Sequence, residues 1–174
     1  VKTTKQEWGA GPWHDEPDEE FGEAHGLRFA IKRHSSLGYL CGYVGVPPDH
    51  KLHGKSYGDE IAIDDVPHDW REARIDLDIG AIPAFLAAIG DRSDVIRIDL
   101  ALHAHGGITY SEAGDDKYLP AGLHWFGFDC AHCDDLTPSS RAARYSWPAT
   151  GEYRDIAYVR GECERLAKQL SEWK

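Results

Sequence analysis

Two short stretches carry most of the groups able to do chemistry. "HAHGGITYSE", residues 103–112, brings two imidazoles to a double glycine, then a run of hydroxyls and a carboxylate; "WFGFDCAHCDD", residues 125–135, turns from an aromatic strand to oxygen, nitrogen and sulfur donors. Nitrogen and oxygen ligands at this density suit a divalent metal that keeps one coordination position for water. His105, Asp129 and His132 offer mixed ligation, with Asp135 as a fourth ligand or as the partner that orients a liganding imidazole. Water activated there by zinc or manganese would attack a phosphoryl or acyl centre, with Glu112 or His132 managing the proton. The spacing matches no HExxH or comparable signature, so this set rests on residue types.

Other chemistries draw on the same residues. His103 and His105 would face one side of a continuous strand, with Ala104 on the other. Gly106 and Gly107 permit close approach of backbone to a ligand, but they lie in neither a Walker A loop nor a dinucleotide fingerprint. With Thr109, Tyr110 and Trp125 they form the expected ligand-binding wall. The pair Cys130-x-x-Cys133 would hold a structural zinc only with two further ligands from His105, His132 or Cys41; otherwise Cys130 packs beneath a sheet and Cys133 is incidental. Without metal, His105 or His132 could act as a base oriented by Asp129. The non-catalytic alternative is a protein that sequesters a small polar or nucleotide ligand between the glycine amides, Arg33 or Arg141, and the rings of Tyr43, Tyr110 and Trp125.

The elements that must position these groups follow from periodicity. Leu27–Arg33 and Tyr39–Val46 alternate about a Ser-Ser-Leu-Gly turn and read as a hairpin, closed by Pro47 and Pro48, which cannot donate ladder bonds. The polar, glycine-containing segment 49–60 reads as a long loop. Ile82–Ile89 reads as a short helix between Gly80 and Gly90, with Pro83 in its first turn. Val95, Ile98, Leu100 and Leu102 suggest a strand running into His103, and Ile108–Tyr110 and 123–132 suggest two more. In the last segment Ile156, Val159, Cys163, Leu166 and Leu170 recur at steps of three and four, the stripe of a long amphipathic helix. Arg160–Glu164 and Glu164–Lys168 have the spacing of supporting pairs on its wet face. The expected fold is therefore α+β, an antiparallel or mixed sheet packed against a central short helix and a long C-terminal helix.

Length and charge bound the rest. The 174 residues suffice for one domain, expected over 26–174, after an acidic, irregular arm over 1–25 that Trp8 and Trp13 can pin to the body. The formal net charge of -11, without a basic stripe, argues against a nucleic-acid polymer as partner and leaves a small phosphorylated ligand open. No apolar run approaches the roughly 20 residues of a membrane-spanning helix, and the four unevenly placed cysteines suggest no disulfide framework. The expectation is a cytoplasmic protein without a membrane partner.

Taken together, "YLCGYVGVP", "HGGITYS", "WFGFDCAH" and "YRDIAYVRGECERLAKQL" resemble a family of bacteriophage and bacterial proteins that share HGG-[IL]-T and GFDCAH motifs, over residues 27 to 170. The resemblance brings no transferable activity. It implies that His105, Gly106, Gly107, Thr109, Asp129 and His132 form a shared site, and a small residue where this chain has Cys133 would set aside a required CxxC pair. A phage setting implies interference with host defence or nucleotide metabolism in the host cytoplasm.

Overall fold

The computed structural model describes residues 5–67, 94–139 and 151–173. Its main sheet begins with β1 (Glu19–Ala24), β2 (Leu27–Arg33) and β3 (Leu40–Val46). After β4 (Glu60–Ala62), β5 (Val95–Arg97) and the one-turn helix α1 (Ile98–Ala101), β6 (Tyr110–Ala113) and β7 (His124–Asp129) complete it, and α2 (Ile156–Ser171) follows. The order is β1-β2-β3-β7-β6, antiparallel at every pairing, while β4 and β5 form a separate two-stranded sheet. The fold is α+β, with antiparallel sheets, a short helix and a long C-terminal helix. Among the described residues no helix is long and apolar enough to cross a membrane.

Strand alternation sorts the sheet into two faces. Phe29, Ile31, Leu40, Val44, Phe126 and Phe128 join the core under α2, where Val159, Cys163, Leu166 and Leu170 are fully buried. Gly42 lets this helix approach, because a Cβ there would collide with Phe128 and the Cys163 sulfur. The opposite face carries a second cluster of Ala30, Cys41, Tyr43, Leu119 and Trp125. Covered on both sides, β3 is buried along its whole length. The Asp155 side chain caps α2 by accepting from the Tyr158 amide at 2.8 Å, a contact of about 1 kcal/mol in helix stability.

Three expectations change. The segment 1–25 is not an irregular arm throughout: it contains two 3-10 turns, Lys5–Trp8 and Pro12–His14, and β1, the first strand of the sheet. Trp8 and Trp13 are buried, and the buried Arg33 side chain binds Glu16, Asp18 and the Tyr153 hydroxyl. Residues 25 and 26, where an arm would meet a domain, form a tight β1–β2 turn with φ of 51° at His25 and 77° at Gly26. Second, the strand expected to run into His103 ends at Arg97 and becomes α1, so His103 and His105 do not sit on one extended strand. Third, Arg160 makes its direct ion pair off the helix, with Glu20 of β1 at 2.6 Å, while Glu164 acts on it through its charge. The helix expected over 82–89 lies outside the described residues, as does Arg141.

Candidate metal centre

The turn after α1 reaches the site because α2 holds its backbone. Gln169 accepts from the His103 amide and donates to the His103 carbonyl, each at 2.8 Å, and Glu162 accepts from the His105 amide at 3.0 Å. Glu162, itself buried, is paired with Arg165. From this clamp the His105 ring projects between α2 and the turn that follows β7. Its Nδ1 lies 2.9 Å from the Tyr158 hydroxyl, and its Nε2 lies 2.7 Å from Asp135 Oδ2.

Asp135 is the hub. Its side chain is 1% exposed, and Oδ2 also accepts from the His132 amide at 3.0 Å while Oδ1 accepts from Arg154 Nε at 3.0 Å. Burial alone would raise its pKa, but the bonds from His105, the His132 amide and Arg154 outweigh it and hold the carboxyl below the ordinary value. Asp135 is thus an anion fixed in place. Arg154 lies over the Tyr158 ring, 4.8 Å from its centroid, and its Nη1 donates to Glu152 at 2.7 Å.

His132 completes the group. Its ring meets that of His105 edge-on, with centroids 5.3 Å apart, and lies directly on Gly106. Gly106 has φ of 67°, and any Cβ there would overlap the imidazole, so glycine is required for both conformation and space. His132 Nδ1 is 3.4 Å from Asp135 Oδ2 but is buried without a hydrogen-bond partner among the described residues. One ligand atom each from His105, His132 and Asp135 lies within 4.8 Å of the others, a geometry compatible with holding a metal ion. Two imidazoles and a carboxylate form a three-ligand set of the kind that leaves a coordination position open.

The remaining residues singled out in the sequence go elsewhere. Asp129 is in register with Cys41 on the face away from α2, where Oδ2 accepts from Thr109 Oγ1 at 3.0 Å and Oδ1 from the Ala131 amide at 3.2 Å. It does not join the ligand group, because Asp129 ends the strand facing one way while the turn beyond it carries His132 and Asp135 to the other. Glu112, exposed and in register with Trp125, stands on that same opposite face. Tyr110 packs edge-on against Tyr43, and Trp125 is fully buried with Nε1 donating to the Pro120 carbonyl. The Gly107 amide closes a turn onto the Ala104 carbonyl at 2.9 Å. Cys130 is buried, its thiol pushed up mainly by burial, whereas Cys133 is exposed, and neither joins a metal-ligating group among the described residues.

Tyr158, Glu162 and Arg154 escaped the sequence reading. The available signal was the four-residue interval from Tyr158 to Glu162, which puts a phenol and a carboxylate on one flank of α2 beside its apolar stripe. Against known proteins the chain matches no family model, no curated protein and no solved structure.

Proposed function

We propose that the protein is a metal-dependent hydrolase of a small phosphorylated substrate, its divalent cation held by His105, His132 and Asp135. The observation that carries this reading is the ligand group itself, with one buried imidazole nitrogen, His132 Nδ1, that makes no hydrogen bond among the described residues. Such an atom costs about 1–3 kcal/mol when left unmet, and a coordinate bond removes that cost.

His105 has a proton arrangement suited to either state. In the tautomer whose Nε2 donates to the Asp135 carboxylate, Nδ1 accepts from the Tyr158 hydroxyl. A cation held by Nε2 would leave the proton on Nδ1, which would then donate to the same hydroxyl. Tyr158 can serve both tautomers because a hydroxyl donates and accepts. A cation bound here would lower the pKa of a water toward neutrality and polarise a phosphoryl oxygen. Zinc and manganese both accept this mixed nitrogen and oxygen set.

The test is zinc and manganese binding to the purified chain by calorimetry, followed by hydrolysis of p-nitrophenyl phosphate and nucleoside phosphates. We expect one equivalent bound in wild type, none in His132→Ala, and phosphate release only from the loaded protein. Absence of metal binding overturns the reading. A tightly bound nucleotide recovered unchanged would replace turnover with sequestration.

A further inference from the structure

We propose that Arg154 is the anion-binding arm of this centre: its guanidinium receives a phosphoryl group only when the cation is present, and Glu152 is the carboxylate that the phosphoryl group displaces. The inference rests on the preceding reading of the metal site and assigns the residue that selects the substrate class.

The position of Arg154 is built by the backbone. Residues 151–152 run against the turn holding Asp135: Leu136 donates to the Glu152 carbonyl at 3.0 Å, and Glu152 donates to the Asp134 carbonyl at 2.9 Å. A Cβ at Gly151 would strike the backbone of Asp134, Asp135 and Leu136, so glycine permits this approach. The guanidinium is then fixed from two sides, by Asp135 at Nε and by the Tyr158 ring beneath its plane.

Its outer side is held less firmly. Nη1 pairs with Glu152, whose side chain is 74% exposed, and Nη2 makes no hydrogen bond among the described residues. A planar fork with one edge anchored and the other on a solvated carboxylate suits a phosphoryl group, which presents paired oxygens to such donors. Exposed ion pairs are weak, so exchange of Glu152 for a doubly charged phosphate is favourable once the local field allows it.

The field decides when. Asp135 and Glu152 set two carboxylates against the Arg154 guanidinium, so these three groups offer an incoming anion no surplus of positive charge. A divalent cation reverses the sign of that balance. Phosphate and metal must therefore bind cooperatively, each raising the affinity of the other by the same factor.

The experiment is a calorimetric titration of inorganic phosphate into the zinc-loaded and zinc-free full chain, at micromolar zinc, for wild type, Glu152→Gln, Arg154→Lys and Arg154→Gln. We expect phosphate to bind the zinc-loaded wild type at least tenfold more tightly than the zinc-free protein. Glu152→Gln should tighten it about two- to fivefold. Arg154→Gln should weaken it tenfold or more, and Arg154→Lys should fall between, since it keeps the charge and loses the fork. Zinc binding with phosphate affinity unchanged in Arg154→Gln, or equal with and without zinc, overturns the assignment of Arg154 and leaves the metal site standing. No zinc binding in wild type overturns both. Glu152, being exposed, gives an informative variant even where Arg154→Gln does not fold.

Discussion

Two polar regions flank β7, and they differ in how completely their groups are satisfied. On the face away from α2, Tyr43 and Tyr118 join hydroxyls at 2.9 Å, Trp125 bonds Pro120, Thr109 bonds Asp129, and the buried Lys32 bonds Glu19 while lying over the rings of Phe21 and Tyr118. On the side of α2, Asp135 gathers His105, the His132 amide and Arg154, yet His132 Nδ1 is left without a hydrogen bond among the described residues. Closed polar networks stabilise a fold, whereas an unmet buried nitrogen inside a cluster of ligand atoms is one that a bound ion can satisfy. Both regions draw on residues 103–135, so richness in reactive side chains does not separate them. Their hydrogen bonding does.

The comparison can be broken by substitution. Trp125→Ala should cost about 3–5 kcal/mol of stability, because it empties a fully buried site; denaturant unfolding measures the loss, and the zinc stoichiometry of the folded fraction should not change. Asp135→Asn should reduce zinc affinity at least a hundredfold and destabilise the chain by about 3–5 kcal/mol, since it leaves Arg154 and the histidines around a neutral amide. Asp129→Asn, the matching change on the other face, should alter zinc affinity by less than twofold. If Asp129→Asn abolishes binding instead, the division between the two regions is wrong.

Smaller effects sharpen it. Tyr158→Phe should weaken zinc binding about tenfold by removing the partner that accepts the His105 proton, with the His105 ring nitrogen NMR shifts changing in the loaded protein. Thiol labelling of the native chain near pH 8 should modify Cys133 alone: Cys41 and Cys163 are each raised to about 12 chiefly by burial, and Cys130 is also raised. Unfolding should expose all four cysteines.

The smallest effect concerns acid. The bond to Arg160 depresses the pKa of Glu20 below its unfolded value, so its contribution is complete above the unfolded pKa and lost as pH falls through the folded one. Stability curves of wild type and Glu20→Gln should therefore converge in acid from a difference under about 1 kcal/mol near neutrality, as befits a partly exposed pair.

Much of the architecture was legible from local pattern. Leu27–Arg33 and the strand to Val46 follow from period-two alternation and the prolines behind them, and the α2 stripe from Val159 to Leu170 follows from its steps of three and four. The segment after β5 misled: Ile98, Leu100 and Leu102 alternate as a strand would, but the chain turns into α1, and tertiary packing overrides so short a pattern. Glu19–Ala24 was hidden by its charges, which an edge strand tolerates because much of it meets solvent.

For the site, the sequence by itself determined the donor inventory: His105, His132 and Asp135 were all identifiable from residue type and local density. It could not separate them from Asp129 and Glu112, because strand register and the turn after β7 decide which side chains share a face. Nor could it bring Tyr158 and Arg154 to residues 105 and 135, contacts that span 53 and 19 positions. Only the tertiary structure joined α2 to the two loops, since spacing along a chain fixes direction within one element but carries no measure of distance between elements.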